Sequence, residues 1–195
     1  MVHISFEDLK QKAHIPLSFH RDPEAHPFQP YTLGTLPTPS GKIEFYSEVL
    51  AAQGLDGLPT FVPPVESRWG EDAKRYPLEF LSRKNDNYMN STFANLDGHR
   101  KMEARTAQKL EMHPRDAESR GIANGDAVRI FNERGSLTLT ALIDGSLPAG
   151  MVSARLDWAK LHPQGVNVNV LTSERLTDIG RAATFYSALV EVAKA

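Results

Sequence analysis

The sequence contains no cysteine. Disulfides, thiolate zinc sites, cysteine-ligated iron–sulfur clusters and a cysteine nucleophile are therefore excluded within these 195 residues. A redox role would need a centre that another domain or polypeptide supplies.

The sequence also lacks long apolar runs and an excess of either charge. No apolar run approaches the ~20 residues that cross a bilayer, and the first residues lack the basic and apolar blocks of a signal peptide. We therefore expect no membrane insertion and a cytoplasmic location, with a periplasmic parent enzyme left open. Twenty-two Lys and Arg against 24 Asp and Glu give a net charge of −2, which favours no nucleic-acid partner.

Proline is unevenly distributed along the chain. Nine of the 13 prolines lie in residues 1–70, where each removes a backbone donor and restricts the residue before it. The pattern predicts a proline-rich arm or linker over residues 1–70 with two short helices. One helix is expected to begin after Ser5, with Asp8 completing a capping box, and the other after Ser47.

Residues 71–195 have the pattern of a small β domain. A hairpin is predicted between residues 127–131 and 136–143, because turn residues flank both apolar runs. Residues 114–120 have the signals of a short helix, with Pro114 at its start and Gly121 after its end. Because exposed sheet edges are a liability, we expect the strands to close into a barrel. The predicted strands are residues 77–81, 110–112, 127–131, 136–143, 151–158 and 187–192.

A family resemblance lies in residues 113–135. His113-Pro-Arg-Asp-Ala-Glu-Ser-Arg-Gly-Ile-Ala-Asn-Gly-Asp-Ala-Val-Arg-Ile-Phe-Asn-Glu-Arg-Gly135 resembles the P-x-D-A…G-I-x-x-G-D-x-V-x-V-x-N-x-R-G signature of the C-terminal molybdopterin-dinucleotide-binding domain. That domain belongs to the dimethyl-sulfoxide-reductase family of molybdenum and tungsten oxidoreductases. Further similar pieces occur in the family's order: residues 38–44, residues 148–152 ahead of Trp158, and residues 169–172 followed by Asp178.

The resemblance implies a fold, a cofactor and partners. The implied fold is a six-stranded double-psi β-barrel, and the implied cofactor is molybdopterin guanine dinucleotide carrying Mo or W, bound only with the rest of the enzyme. The partners are the catalytic domains or subunit of a parent oxidoreductase, so we expect a C-terminal fragment or a separate cofactor-binding subunit. No acid–base pair or nucleophile triad has a local signature, so we expect no catalytic residue in this chain.

The resemblance also indicates cofactor-binding residues. Trp158 is expected near the pterin, although a tryptophan at a strand end also suits a core position. Asn169 and Asp178 are expected to recognise the base, because a carboxylate accepts both N1–H and N2–H of guanine; both residue types also bond their own backbone in loops. The family often has a histidine where this chain has Asn90, so histidine contacts are not carried over. The remaining candidates follow the first strand in a predicted polar loop: Ser82, Arg83, Lys84, Asn90, Ser91 and Thr92.

Three other interpretations are a metal site, a self-processing enzyme and a protein-binding module. His14, His20 and His26 recur every six residues, which places no two on one face of a helix or strand, so no metal site is predicted. Double-psi barrels include a self-processing pyruvoyl decarboxylase that cuts a Gly-Ser bond, and Gly135-Ser136 and Gly145-Ser146 both lie in predicted hairpin turns, where Gly-Ser is expected in any case. The third interpretation is a non-enzymatic, protein-binding barrel that uses the proline-rich arm for docking.

Overall fold

The computed structural model describes residues 4–17, 31 and 36–195. The chain divides into two compact units, Met1–Phe61 and Val62–Ala195. The role of residues 1–70 as an arm or linker stays a prediction.

The first unit contains the two short helices that the capping residues predict. Helix α1, Phe6–Lys12, begins after Ser5, whose hydroxyl accepts the Asp8 N–H at 3.2 Å while the Asp8 carboxylate accepts the Ser5 N–H at 3.0 Å. Helix α2, Glu48–Ala52, begins after Ser47, whose hydroxyl caps it in the same way. Both predicted helix starts are confirmed.

The second unit is a closed barrel of six strands. The strands pair in the order β1-β5-β2-β4-β3-β6, and β6 pairs back to β1. The pairs β1/β5 and β2/β4 are parallel, and the other four pairs are antiparallel. The expected six-stranded barrel of the double-psi class is confirmed. The strands are β1 Leu78–Lys84, β2 Lys109–Met112, β3 Ala127–Phe131, β4 Ser136–Ile143, β5 Met151–Leu156 and β6 Ala188–Lys194.

Apolar side chains at alternate positions of the strands fill the interior of the barrel. Leu78 and Phe80 of β1 are buried while Glu79 and Leu81 between them are only partly buried, which is the period-2 pattern of a strand with one face on a core. The hairpin β3/β4 has the bounds that its turn residues predict. The largest core side chains are Leu78, Phe80, Leu110, Met112, Ile130, Leu137 and Leu171.

Short helices and 3₁₀ turns connect the strands. Helix α3, Asp97–Glu103, has no counterpart in the sequence prediction. Helix α4, Pro114–Glu118, confirms the predicted short helix. His113 is the N-cap of α4, with its Nδ1 accepting the Arg115 N–H at 3.1 Å. The 3₁₀ turns are Glu71–Lys74, Ala159–Leu161 and Val168–Leu171.

Some details of the strands and turns differ from the sequence prediction. Strand β1 continues to Lys84 instead of ending at residue 81, because β5 pairs with it along this whole stretch. Strand β5 ends at Leu156, two residues before the predicted end, because Trp158 caps a 3₁₀ turn. Gly145-Ser146 does not lie in a hairpin, because β2 separates β4 from β5.

Replacing Ile130 tests the closed core. Its side chain is fully buried in β3, so Ile130→Ala is expected to lower the free energy of unfolding by about 2–5 kcal/mol in urea denaturation. Met102→Ala is the control, because Met102 is 58% exposed and its removal should change stability by less than ~0.5 kcal/mol. Equal stability of the two variants would contradict the barrel core.

Candidate functional site

Ser82, Arg83 and Lys84 lie in strand β1 rather than in the predicted loop. Ser82 is buried and opposes Ala154 of β5, and Lys84 is exposed at the strand end. The sequence analysis misplaced these residues because polar side chains suggested a loop, whereas the neighbouring strand satisfies their backbone groups.

Arg83 forms an ion pair with the buried carboxylate of Glu111 in β2. Arg155 of β5 stands opposite Arg83 in the strand register, and its Nε lies 3.9 Å from the same carboxylate. Arg155 also donates to the Lys84 carbonyl at 2.7 Å. Two guanidinium groups therefore flank one buried carboxylate and tie together β1, β2 and β5.

Asn90, Ser91 and Thr92 form an exposed turn beyond β1. Met89 and Thr92 close it with paired backbone hydrogen bonds of 3.1 and 3.0 Å, and Asn90 has a left-handed φ of +57°. An asparagine tolerates this conformation better than most residues. The hydroxyls of Ser91 and Thr92 are therefore presented to solvent on a defined turn.

The base of this turn is held by Glu103 at the end of α3. Its carboxylate is buried and accepts the Asn87 side-chain N–H at 2.9 Å. The Asn87 carbonyl in turn lies 2.7 Å from His99 Nδ1. Sequence reasoning missed Glu103 because its partner is 16 positions away and no motif contains it.

Trp158 follows the carboxyl end of β5. Its side chain is 36% exposed, and Lys160 Nζ lies 5.4 Å from the ring centroid, within cation–π range. The preceding residue, Asp157, is buried, and this burial raises the pKa of its carboxyl group against the opposing effect of nearby His162. The Asn167 side chain donates to the Asp157 carbonyl at 3.0 Å and so connects this strand end to the segment that carries Asn169.

Asn169 lies in the 3₁₀ turn Val168–Leu171 and lines an open groove of about 730 Å³, here called the Asn169 groove. Its N–H donates to Asn167 Oδ1 at 3.0 Å, and its carbonyl accepts the Thr172 hydroxyl at 3.0 Å. The other lining residues are Arg134, Val170, Thr172, Ser173, Glu174 and Arg175.

Arg134 builds one wall of the Asn169 groove. It makes a two-pronged ion pair with Glu66, at 2.9 and 2.7 Å, and donates to the Leu171 carbonyl at 3.0 and 2.8 Å. Gly135 beside it packs closely on Val170, because an added Cβ would lie 2.5 Å from Val170 Cγ2 and would force that side chain to move. Sequence reasoning gave Arg134 no role, although the N-x-R-G end of the signature contains it.

Asp178 lines a second groove of about 410 Å³, here called the Asp178 groove. The residue sits at an exposed turn that the Leu176–Ala183 bridge closes, and its Oδ1 accepts only the Ile179 N–H, at 2.8 Å, within the described residues. The wall contains apolar side chains of residues 62–65 and Leu176. The remaining lining residues are Glu66, Arg175, Thr177, Thr184 and Ser187.

A comparison with known families identifies the family of this chain. The model of the family described as "Molydopterin dinucleotide binding domain" matches residues 78–189, more than half of the chain. The chain belongs to this family of molybdopterin-dinucleotide-binding domains. The resemblance in the sequence is thereby confirmed.

Individual relatives of this dinucleotide-binding domain are much longer proteins. The chain is 39% identical over 178 residues to the probable oxidoreductase YoaE of Bacillus subtilis, a match covering 91% of this chain and 25% of that protein. It is 34% identical over 192 residues to the dimethyl sulfoxide reductase DmsA of Escherichia coli, covering 91% and 22%. Among solved structures it resembles acetylene hydratase from Pelobacter acetylenicus, with a TM-score of 0.69, 25% identity, and coverage of 86% of this chain and 25% of that one. The chain thus spans about a quarter of the length of these proteins.

The dinucleotide-binding domain brings its sequence-predicted residues into two groups. Ser82, Arg83, Lys84 and Trp158 lie at the carboxyl ends of the parallel pair β1/β5, with Asn90, Ser91 and Thr92 on the turn that follows. Asn169 and Asp178 line the two grooves, and Arg175 lines both grooves. The described residues contain no cluster of metal-ligating side chains; His14 is exposed, and His20 and His26 lie outside the described residues. No helix in the described part is long and apolar enough to span a bilayer.

Removing the Glu111 charge tests the ion pairs at the strand ends. Glu111→Gln keeps the shape but leaves Arg83 and Arg155 without their carboxylate, so the free energy of unfolding should fall by about 2–4 kcal/mol. Glu71→Gln removes an exposed ion pair with Lys74 and should cost less than ~1 kcal/mol. Denaturant unfolding of both variants measures the contrast, and equal losses would contradict a supporting role for Glu111.

The raised pKa of Asp157 predicts a pH-dependent stability. Folded Asp157 holds its proton more tightly than the unfolded chain does, so its charge destabilises the protein as pH rises from about 3.9 through the raised folded pKa. Asp157→Asn should therefore gain stability relative to wild type across this window, in denaturant unfolding at a series of pH values.

Glu79 is the control of opposite sign. Its hydrogen bonds with Arg68 hold the pKa of Glu79 below its ordinary value, so this stabilisation is complete above about pH 4.3 and disappears as pH falls through the lowered pKa. The stability deficit of Glu79→Gln should accordingly shrink at low pH. A pH-independent difference between Asp157→Asn and wild type would refute the buried-carboxylate argument.

Proposed function

We propose that this domain binds the guanine end of a molybdopterin guanine dinucleotide, as one part of a longer molybdenum or tungsten oxidoreductase. The single observation that carries the proposal is the position of Asp178 in a groove with apolar walls. The family match supports the cofactor class, and the names of the two sequence relatives support an oxidoreductase.

The Asp178 groove fits a guanine base chemically. Asp178 Oδ1 accepts one backbone N–H, which leaves Oδ2 and a further lone pair for the paired N1–H and N2–H donors of guanine. Pro63, Pro64 and Leu176 supply apolar surface for the faces of the ring. Adenine lacks this pair of donors, so the carboxylate selects guanine.

The Asn169 groove adjoins the Asp178 groove at Arg175 and offers a second contact for the nucleotide. The backbone of Asn169 is held by Asn167 and Thr172, and no described residue bonds its side-chain amide. A single neutral amide contact is weaker than a two-pronged carboxylate contact. We therefore assign Asn169 a smaller share of nucleotide binding than Asp178.

The ends of β1 and β5 supply groups for the other half of the cofactor. Lys84, Ser91, Thr92 and Asn90 are exposed, and the indole of Trp158 is partly exposed. We assign these side chains to contacts with the pterin half. Because Ser82 is buried and Arg83 is paired with Glu111, we assign both a supporting role behind that surface.

The chain's own chemistry is recognition. The metal of the bound cofactor supplies the redox chemistry, while the residues above bind the cofactor, orient it and select its base. The catalytic domains or subunit of the parent protein would supply the metal ligand and the second half of the pocket.

Asp178→Asn tests base recognition in the cofactor-loaded protein that contains this chain. The amide replaces one of the two acceptor oxygens with an NH2 donor, so one of the two guanine N–H contacts is lost. Dinucleotide affinity should therefore fall by ~1–3 kcal/mol, or ~5–150-fold. Asn169→Ala should cost less. The measurements are the GMP released per polypeptide by acid hydrolysis and the dissociation rate of the intact dinucleotide.

The matched control is Asp97→Asn, an exposed carboxylate on α3 that lines neither groove. It should retain wild-type cofactor occupancy. If Asp178→Asn retains the dinucleotide as tightly as Asp97→Asn while keeping its fold, then Asp178 is only a loop carboxylate.

A further inference from the structure

Arg175 lies where the two grooves meet. It lines both the Asn169 groove and the Asp178 groove, and no other described residue lines both. A ligand that occupies both grooves must therefore pass this side chain.

The two arginines of these grooves differ in whether they have partners. The Arg134 guanidinium makes four hydrogen bonds, to the Glu66 carboxylate and the Leu171 carbonyl. The Arg175 guanidinium makes no hydrogen bond or ion pair within the described residues, although its backbone is fixed. The Arg175 N–H donates to Ser173 Oγ at 3.1 Å, and its carbonyl accepts the Thr184 hydroxyl at 2.9 Å. Arg175 is thus a cation on a fixed backbone that has no counter-ion among the residues described by the structure.

Hydroxyl groups flank Arg175 in each groove. Ser173 Oγ, in the Asn169 groove, accepts the Arg175 N–H, and Thr177 Oγ1, in the Asp178 groove, accepts the Ala182 N–H at 3.0 Å. Each hydroxyl keeps its own proton for donation. A guanidinium with hydroxyl donors in the same grooves is a donor set that suits a phosphate group.

We propose that Arg175 binds the diphosphate that joins the two halves of the dinucleotide. This inference rests on the proposed function, which places the base in the Asp178 groove. The diphosphate joins the nucleoside to the pterin half, so a dinucleotide that has its base in the Asp178 groove and continues into the Asn169 groove carries its diphosphate past Arg175. Its negative charge supplies a counter-ion for Arg175.

Two carboxylates near Arg175 differ in their effect on a bound anion. Glu66 is neutralised by Arg134, whereas the exposed Glu174, in the Asn169 groove, has no cationic partner within the described residues. Its charge opposes an anion at Arg175. Glu174→Gln should therefore strengthen diphosphate binding, which is the opposite of the effect of removing Arg175.

The test is the dissociation rate of the dinucleotide from the purified, cofactor-loaded protein at a series of NaCl concentrations. Arg175→Gln should release the dinucleotide about 5- to 30-fold faster at low salt. The ratio to wild type should shrink as salt rises, because salt screens the contact between the exposed guanidinium and the phosphates. Arg175→Lys should restore part of the loss, and Glu174→Gln should slow release.

Arg181→Gln is the matched control, because Arg181 is an exposed arginine of the same segment that lines neither groove. It should release the dinucleotide at the wild-type rate. Unfolding of Arg175→Gln in urea should match wild type, since its guanidinium supports no other described residue.

Two results overturn the inference and leave the proposed function standing. One is release from Arg175→Gln at the rate of Arg181→Gln while Asp178→Asn releases faster. The other is an acceleration that is equal at every salt concentration, which indicates a structural role. If the wild-type protein releases no GMP on acid hydrolysis, the proposed function fails, and this inference fails with it.

Discussion

The guanidinium of Arg134 joins three segments that are far apart in the sequence. It extends from the β3/β4 hairpin to Glu66, 68 positions earlier, and to the Leu171 carbonyl, 37 positions later. One wall of each groove depends on these contacts, because Glu66 lines the Asp178 groove and Arg134 lines the Asn169 groove. Asn132 adds a hydrogen bond of 2.8 Å to the same Leu171 carbonyl. The walls of the grooves are therefore held in place by the β3/β4 turn, which binds the segments around Glu66 and Leu171.

The distribution of ion pairs separates residues that maintain the fold from residues that are free to bind. Arg83, Arg134 and Arg120 each face a carboxylate, of Glu111, Glu66 and Glu191 respectively. Buried or half-buried guanidinium groups need such partners, because an unpaired charge away from water is costly. Arg175 is exposed and needs no partner in the free protein. Its position is useful only when an anion occupies the junction of the two grooves.

Local signals in the sequence were enough to predict most of the barrel. The hairpin β3/β4 was predicted with its observed bounds, because turn residues flank two alternating runs, and Ser5 and Ser47 marked two helix starts. Helix α3 was missed because its sequence has no apolar period; Glu103 anchors it through a contact across 16 positions. The grooves could not be predicted for the same reason, since residues 62–66 and 175–178 come together only in three dimensions. A role for Arg134 could have been predicted, because the family signature contains this residue.

The central claim is that the guanine base occupies the Asp178 groove and the diphosphate lies at Arg175. The most direct measurement is an experimental structure of the cofactor-loaded protein that contains this chain. We expect guanine N1 and N2 within hydrogen-bond distance of the Asp178 carboxylate, at about 2.7–3.2 Å, and a diphosphate oxygen equally close to the Arg175 guanidinium. A base bound elsewhere, with both grooves filled by solvent or by another part of the protein, would contradict the account.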